Sequence, residues 1–503
     1  MTLDKKSMMS ATLSNYIHLI IKIISSLVLV RIMFLGMEQE SYGFWALLWS
    51  IFGYSVLLEF GLGTTIQKKS AEFMAVDNLA GISSLFSTYF FVYIMISLVI
   101  VTSTVLISWN LESLFMIKET SKLEEYSRTL LIFGLGSAAA FSLGFSAEIL
   151  KGLHKLKIRN YINTFFVLLN ALLLWGCIVL DQPLYVLAFI AVCIQFLNNF
   201  TFLIILKLHI PNLKISSKLI NLSDVRNSMQ FSLSAYLVMF SNIIIFRTDQ
   251  IVISAVAGVS YAGFYQIASR VAELLRQFAT QFHESLSTKA AMLHCTNDKE
   301  ELSTLLISSN KIVSAITSTI FIPLFILIEP LLYLWLDLKD EQTVYTAQIL
   351  LVSMYVLVVF RSSMVQVLLM NGLHVQLMKI GLLEASSNII LSIILVKEYG
   401  MIGAAIGTLI PNVLLALFYN IPQSLKYSST SVTNYFKKYL LHLSIAFSFS
   451  FIVASYLKDI ILPNSMMNIM LNGFSISILF ASLYFILTLK KEFKLFTSLN
   501  KGV

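Results

Sequence analysis

Long apolar stretches recur along the whole chain, separated by short polar segments. Each has the length, about 20 residues, at which an α-helix crosses the hydrocarbon core of a bilayer with its backbone polar groups satisfied internally. This pattern predicts an all-α polytopic membrane protein with about 14 transmembrane helices. The predicted spans cover residues 11–35, 42–62, 82–106, 126–148, 160–180, 184–206, 228–256, 263–285, 304–328, 344–370, 380–396, 401–422, 439–457 and 466–489.

The basic residues between the spans predict an orientation. With the N-terminus in the cytoplasm, the inside loops and tails hold 22 of the 35 Lys and Arg residues, and the outside loops hold five. Cytoplasmic loops carry such an excess, so both termini are expected to be cytoplasmic. The first apolar stretch is too long for the apolar region of a signal peptide and is interpreted as a membrane span.

Two halves of the chain resemble each other at an offset of 220 residues. Gly43-Phe44 returns as Gly263-Phe264, and Gly152-Leu153-His154 returns as Gly372-Leu373-His374. The offset corresponds to six spans, so both halves face the same way, related by an axis along the membrane normal. The predicted domains are two six-helix bundles followed by two extra helices and a cytoplasmic tail, at 1–220, 221–436 and 437–503.

Charged side chains within the spans are costly in lipid and are expected to face a cavity or a partner. Many lie three or four residues apart, on one helical face. The stripe in span 263–285 consists of Gln266, Arg270, Glu273, Gln277, Gln281 and Glu284, with Arg276 beside it. Span 228–256 carries Ser228, Ser232, Tyr236, Met239, Asn242 and Asp249, with Arg247 beside them; span 11–35 carries Asn15, His18, Lys22 and Ser25; span 42–62 carries Ser50, Tyr54 and Glu59. We expect these four stripes to face one another across a water-filled cleft.

The cations on these faces predict an anion site. Guanidinium groups bind phosphate bidentately, and lysine binds it as a point charge. The candidate substrate-binding residues are Lys22, Arg247, Arg270, Arg276, Arg361, Gln266 and Gln277. The candidates for proton coupling are Glu59, Asp249, Glu273 and His18. Spacing alone leaves a phosphate site and a proton relay both open.

These charges also have structural interpretations. Arg270 and Glu273 are three residues apart and can pair with each other, and Arg247 and Asp249 can each have a partner on another helix. Five further charges lie towards span ends, where long side chains reach the membrane interface. They are Arg31, Arg128, Glu148, Lys311 and Glu384.

Composition narrows the functional classes. The chain is 57% hydrophobic and 12% charged, with a mean hydropathy of +0.81, and soluble proteins carry about twice that charge fraction. Its net charge of +8 lies in short loops, which favours a membrane interface over nucleic acid. The three cysteines are too few and too scattered for a disulfide framework or a zinc site. No Walker A motif is present, and no cofactor or metal is predicted.

Several short motifs resemble those of a known family. Tyr42-Gly43-Phe44-Trp45 followed by Leu58-Glu59-Phe60-Gly61-Leu62-Gly63 is similar to the second span of Wzx-type polysaccharide flippases. The later segments similar to this family are Asp249-Gln250, Gly258, Ala262-Gly263-Phe264-Tyr265, Ala268-Ser269-Arg270 and Lys151-Gly152-Leu153-His154. The family belongs to the multidrug/oligosaccharidyl-lipid/polysaccharide exporter superfamily.

The resemblance implies a function. Members move a polyprenyl-diphosphate-linked oligosaccharide, such as an O-antigen or capsule repeat unit, from the cytoplasmic to the periplasmic leaflet of the bacterial inner membrane. It implies two six-helix bundles in a V with alternating access, plus two C-terminal helices. The implied partners are the lipid-linked oligosaccharide and the bilayer, with a polysaccharide polymerase and a chain-length regulator as candidate protein partners.

Two other functions stay open. A drug or cation antiporter of the same superfamily generally needs an acidic cleft, whereas the candidates here are mainly basic. A membrane polymerase or ligase usually carries a large periplasmic loop, but the longest predicted outside loops, 107–125 and 329–343, are short. They contain no carboxylate pair with a catalytic spacing, so we expect that the protein is not an enzyme.

Overall fold

The computed structural model describes residues 5–489 except 60, 118–119, 154, 212, 224, 226–246, 297–298, 371–372 and 461–463. Side chains are described for the same residues except 5–12, 56–57, 278–296, 370, 374, 459–460 and 489. All regular secondary structure in these ranges is helical. The predicted all-α class is therefore confirmed. The chain divides into two compact units.

The N-terminal unit comprises Met1–Ile243 and Ser254–Gly263. Its helices are α1 (Lys5–Gly36), α2 (Gln39–Gly53), α3 (Leu62–Ala75), α4 (Leu79–Trp109), α5 (Leu111–Leu114), α6 (Leu123–Phe141), α7 (Phe145–Gly152), α8 (Leu156–Val179) and α9 (Leu184–His209), with 3₁₀ turns at Tyr54–Glu59, Thr120–Lys122 and Ser217–Leu219. Helix α6 packs on α4 and α9, α1 packs on α8, and α3 packs on α7. The last two pairs place the polar residues described below.

The C-terminal unit comprises Ile244–Ile253 and Phe264–Val503. After a helical segment at 247–256, its helices are α10 (Val259–Thr296, whose first residues belong to the N-terminal unit), α11 (Lys299–Leu336), α12 (Glu341–Val356), α13 (Ser363–Met370), α14 (His374–Leu415), α15 (Ile421–Tyr427), α16 (Val432–Tyr435), α17 (Leu441–Ile460) and α18 (Met466–Tyr484). Single π-helical segments lie at Leu357–Ser362, Ala416–Asn420, Phe436–Leu440 and Phe485–Leu489. Helix α11 packs on α12, α17 and α18, and α12 packs on α14.

The predicted spans agree with the helices. Ten described helical stretches are long and apolar enough to cross a membrane. One of them, Val375–Tyr427, contains two predicted spans, 380–396 and 401–422. They meet at Gly400, whose φ of 56° and ψ of −136° are not helical and suit glycine alone. The protein is thus a multi-pass membrane protein.

The other three predicted spans differ from this pattern for physical reasons. Span 42–62 is interrupted, because α2 ends at Gly53 and a 3₁₀ turn follows. Span 263–285 lies in α10, whose polar stripe places it outside the set of ten apolar stretches. Span 228–256 falls mostly outside the described residues.

Two glycines of the 220-residue repeat lie at close contacts within the N-terminal unit. A Cβ at Gly43 would overlap the carbonyl oxygen of Val259, and one at Gly263 would lie 3.1 Å from the Gly43 nitrogen. Gly152 is similar, because a Cβ there would overlap the Ser70 hydroxyl. These glycines permit backbones to approach closely. His154, Gly372 and the side chain of His374 lie outside the described residues.

Candidate functional site

The polar stripe of α10 lies on the less buried face of the helix. Gln266, Arg270, Glu273, Arg276 and Gln277 are all partly exposed. The opposite face is buried and apolar; it consists of Ile267, Ala268, Val271, Ala272 and Leu275. The helical spacing in the sequence therefore identified the two faces of α10 correctly. The side chains of Gln281 and Glu284 lie outside the described residues.

Glu273 pairs with Arg276 on the same helix. The Arg276 Nε donates to Glu273 Oε2 at 2.9 Å, and its Nη2 donates to Glu273 Oε1. Spacing alone did not indicate this pair, because Arg270 also lies three residues from Glu273. This bidentate pair neutralises one cation of the predicted anion site.

Asp249 lies at the centre of a buried hydroxyl cluster in the C-terminal unit. Its carboxylate accepts hydrogen bonds from Tyr265 at 2.5 Å, Thr408 at 2.7 Å and Ser392 at 3.0 Å. Asn388 donates to Thr408 at 2.9 Å. Three helical segments therefore meet at one carboxylate. Arg247, two residues earlier, is exposed, while the other residues of this predicted stripe (Ser228, Ser232, Tyr236, Met239 and Asn242) lie outside the described residues.

Arg361 lies at the centre of a buried cluster of polar side chains. Its Nη1 and Nη2 donate to the two carboxylate oxygens of Glu384 at 2.5 and 2.6 Å. Nη1 also donates to Asn412 at 2.6 Å, and Nε donates to Asn420 at 3.1 Å. Asn412 in turn donates to the carbonyl oxygen of Ser353 at 2.6 Å. This arrangement ties α12, the π segment after it, α14 and the next π segment together.

Two π-helical segments meet at this cluster. Arg361 lies in the first, at Leu357–Ser362, and Asn420 ends the second, at Ala416–Asn420. A π segment widens the helix by one residue and turns side chains away from their α-helical positions. Both segments thus help to direct polar side chains towards Glu384.

Two predictions about span ends were wrong. Glu384 and Lys311 were expected to reach the membrane interface, yet they are only 4% and 8% exposed. Glu384 is instead the counter-ion of Arg361. Position along an apolar stretch indicates depth only, whereas the partner on a neighbouring helix determines where a charge is directed.

In the N-terminal unit, α1 is joined to the first turns of α8 by polar contacts. His18 Nδ1 lies 2.9 Å from the Thr164 hydroxyl, and Asn160 donates to Ser14 at 3.1 Å. The imidazole of His18 also lies within the electrostatic influence of Lys22 and Arg159. Lys22, one turn further along α1, is exposed. Arg159 therefore joins Lys22 as a second cation beside the imidazole of His18.

A second charge cluster lies beside this contact. Glu148 accepts from Lys151 at 2.9 Å and lies 3.7 Å from the Arg159 Nη2. Glu59 lies near Glu148, since a Cβ at Gly63 would be 3.4 Å from Glu148 Cγ and 3.7 Å from Glu59 Oε2. The structure therefore brings a predicted proton-coupling residue next to a second carboxylate. Glu148 lies near its span end as expected, but it is paired there.

Several residues of these clusters were missed by sequence reasoning. Lys151 and Arg159 were counted as loop cations. Asn388, Ser392, Thr408, Asn412 and Asn420 were not singled out. A signal was present, because Glu384, Asn388 and Ser392 step by four, as do Thr408 and Asn412, so each set occupies one helical face. No group of three or more metal-binding side chains comes together in the part of the chain that the structure describes.

Comparison with solved structures identifies the fold. The chain is similar to the lipid II flippase MurJ in an inward closed conformation, with a TM-score of 0.69, 16% identity, and 94% of this chain and 98% of that chain covered. It is similar to an inward-facing multidrug resistance MATE family transporter of the MOP superfamily, with a TM-score of 0.64, 15% identity and coverage of 81% and 96%. A MOP superfamily transporter from Pyrococcus furiosus, described as having a binding pocket of reverse polarity, gives a TM-score of 0.52, 15% identity and coverage of 84% and 94%.

These likenesses confirm the predicted superfamily fold. A search of curated protein sequences found no match. A family model described as polysaccharide biosynthesis protein matches residues 28–345, which is more than half of the chain. The chain therefore belongs to the polysaccharide biosynthesis protein family.

Proposed function

We propose that this protein is a flippase that moves a polyprenyl-diphosphate-linked oligosaccharide from the cytoplasmic to the periplasmic leaflet by alternating access. The observation that carries the proposal is a set of cations on polar faces of membrane helices, in a chain that belongs to a polysaccharide biosynthesis family and has a flippase fold. A lipid-linked sugar needs a polar path for its headgroup and an apolar surround for its chain. The cargo is an O-antigen or capsule repeat unit.

The proposed headgroup residues are the cations on partly exposed faces. In the C-terminal unit these are Arg247, Arg270 and Arg276, with Gln266 and Gln277 on the same face of α10 as hydrogen-bond donors for the sugar. In the N-terminal unit Lys22 supplies a point charge. Arg361 has a different proposed role, because its donors are directed to Glu384, Asn412 and Asn420. We assign it to holding the C-terminal helices together.

Transport is proposed to be coupled to protons through buried or partly buried acids. Asp249 is buried among hydroxyl donors, and Glu59 lies beside Glu148. Glu273, paired with Arg276, and His18, bonded to Thr164, are the other proposed coupling groups. Each is ionisable, and a change in its charge alters the contacts that it makes with its neighbours.

The proposed setting is the bacterial inner membrane with both termini cytoplasmic. The lipid-linked substrate and the bilayer are the partners that a flippase requires. A polysaccharide polymerase and a chain-length regulator are proposed as protein partners acting on the flipped unit. A carrier is favoured over an enzyme because the solved structures with this fold are described as a flippase and transporters.

A drug or cation antiporter is the second candidate, supported by the likeness to a MATE transporter. The basic character of the stripes argues against it, since a cationic drug would be repelled by Arg247 and Arg270. The two functions differ in the charge of the cargo, so one experiment can separate them.

The test uses purified protein in liposomes with a fluorescent polyprenyl-diphosphate sugar. We expect external quenching to reveal faster exchange between leaflets than in protein-free vesicles, and Lys22→Ala, Arg247→Ala and Arg270→Ala to slow it while leaving insertion unchanged. The same three variants are expected to lower surface polysaccharide in a flippase-null strain. Efflux of a lipophilic cationic dye without diphosphate-lipid exchange would overturn the proposal in favour of the antiporter. Exchange indifferent to a pH gradient would remove proton coupling alone.

A further inference from the structure

Arg159 lies in the first turn of α8, beside the contact between α1 and α8. Its side chain is 24% exposed, and its ion pair with Glu148 spans 3.7 Å, beyond hydrogen-bond range. Its Nε is buried and has no acceptor among the described residues. A buried guanidinium N–H without an acceptor is costly, so the site is arranged for an additional acceptor.

The cations around Arg159 favour an acceptor that is negatively charged. Glu148 is the counter-ion of Arg159, but it lies closer to Lys151, at 2.9 Å. On the side of α1, the imidazole of His18 interacts electrostatically with both Lys22 and Arg159. An anionic ligand at Arg159 is therefore close to further cations. The competing carboxylate, Glu148, is already shared between Arg159 and Lys151.

The backbone under Arg159 is fixed. The next residue, Asn160, is buried and donates to Ser14 of α1, and Thr164 one turn later contacts His18. Arg159 therefore extends from a rigid helix start and not from a mobile loop. Preorganised donors bind an anion with little ordering cost.

The position of Arg159 in the chain suits a lipid headgroup. It lies in the first turn of α8, where an apolar helix of 24 residues begins, and therefore near the membrane interface. In the proposed orientation this is the cytoplasmic interface, where a polyprenyl diphosphate presents its phosphates. Lys151 and Lys155 also precede Arg159 within eight residues.

We infer that Arg159 is a headgroup-binding residue for the diphosphate on the cytoplasmic side. When no ligand is bound, Arg159 pairs with Glu148. The planar guanidinium matches two phosphate oxygens at once, and the ligand displaces the 3.7 Å contact with Glu148. This inference rests on the proposed function, since it names where the N-terminal unit first engages the diphosphate.

The experiment measures binding of farnesyl diphosphate to the purified full chain in detergent, by microscale thermophoresis, with farnesyl monophosphate as a second ligand. Arg159→Gln is expected to weaken diphosphate binding about tenfold or more, the loss typical of hydrogen bonds to a charged group. Arg159→Lys is expected to recover only part of it, because a point charge lacks the bidentate geometry. The matched control is Lys157→Gln, which changes an exposed cation in the same helical turn and is expected to stay within twofold of the wild type.

A second variant separates binding from folding. Glu148→Gln removes the carboxylate that competes for Arg159, so we expect it to tighten diphosphate binding several-fold. A purely structural ion pair predicts the opposite, a loss of binding through loss of folding. This readout also keeps the inference testable if Arg159→Gln fails to fold.

The remaining outcomes are distinct. Wild-type binding with no effect of Arg159→Gln would overturn the inference and leave the proposed function standing. No binding of farnesyl diphosphate by the wild type would overturn both. Nanodiscs of phosphatidylglycerol form the last arm, because a phospholipid also offers a phosphate. If Arg159→Gln loses phosphatidylglycerol and diphosphate binding equally, the residue is a general lipid contact and the diphosphate assignment fails.

Discussion

Arg361 and Arg159 are both arginines near carboxylates in membrane helices, but their surroundings are opposite. Arg361 has a side chain 10% exposed, makes a bidentate pair with Glu384 and donates to two asparagines. Arg159 is 24% exposed, and its ion pair with Glu148 spans 3.7 Å. The first guanidinium uses four of its five N–H donors within its own protein, whereas the second retains a buried Nε for another acceptor.

The difference shows why a charge within a span is not by itself a sign of substrate binding. A buried ion pair with all donors satisfied contributes to packing specificity and resists exchange with a ligand. An arginine with a long, shared contact exchanges its partner at little cost. The hydrogen-bond inventory of each side chain, more than its depth, separates the two roles.

The largest expected effect comes from breaking the saturated cluster. Arg361→Met leaves Glu384 buried without its counter-ion, which typically costs about 3–5 kcal/mol of folding free energy. We expect a strongly lowered melting temperature in detergent, followed by tryptophan fluorescence, and poor recovery of monodisperse protein. A variant of wild-type stability that lost transport would instead make Arg361 a substrate-binding residue.

The matched control removes both charges. Arg361→Met combined with Glu384→Leu replaces the pair by apolar side chains, and such replacements are often close to neutral. We expect the double variant to be more stable than Arg361→Met alone. If it is equally unstable, the asparagine contacts of Asn412 and Asn420 dominate, and the ion pair is secondary.

A smaller effect is expected at Gly407, which packs against a residue of the Asp249 cluster. A Cβ at Gly407 would lie 2.7 Å from Ser392 Oγ and 2.9 Å from its backbone nitrogen. Gly407→Ala should therefore displace α14 near a serine that donates to Asp249. Overpacking of this kind costs about 1–3 kcal/mol, to be measured as a shift of the denaturation midpoint in sodium dodecyl sulfate. An unshifted midpoint would show that this region adapts more readily than the contact implies.

The sequence predicted where the helices lie and which face of α10 is polar, but not which side chains pair between helices. Apolar length and loop charges determine where helices cross, so the described spans agree with the prediction, including the division at Gly400. The polar stripe of α10 was recognised because 3.6-residue periodicity places its members on one face. Such periodicity is a property of a single helix and is visible without any tertiary information.

Partner choice was not visible in this way. Arg361 and Glu384 are 23 residues apart, and Arg361 and Asn420 are 59 apart, so only the packing of helices brings them together. Arg159 was counted as a loop cation because it precedes the predicted span 160–180, whereas α8 begins at Leu156. A boundary error of four residues thus concealed a functional candidate.

A still smaller stability effect is expected at Arg159. Ion pairs that are long and partly exposed contribute about 0–1 kcal/mol, so Arg159→Gln should leave the melting temperature nearly unchanged. The difference in melting temperature between Arg159→Gln and Arg361→Met measures how much more the protein depends on the contacts of Arg361 than on those of Arg159. A large loss of stability in Arg159→Gln would remove the distinction between the two sites.

The smallest effect is expected at Gly63, which lies between Glu59 and Glu148. A Cβ there would meet Glu148 Cγ at 3.4 Å and Glu59 Oε2 at 3.7 Å, both ordinary van der Waals distances. Alanine also favours the helix over glycine by up to about 1 kcal/mol in helix interiors, and less in the first turn, where Gly63 lies. We expect Gly63→Ala to leave the denaturation midpoint equal to or slightly above that of the wild type.

Gly407→Ala is its counterpart in the C-terminal unit, and equal losses in the two variants would show that the N-terminal charge cluster is as tightly packed as the Asp249 cluster. An unchanged Gly63→Ala beside a destabilised Gly407→Ala would show that space remains around the acids and cations of the N-terminal unit, as exchange of a bound headgroup requires.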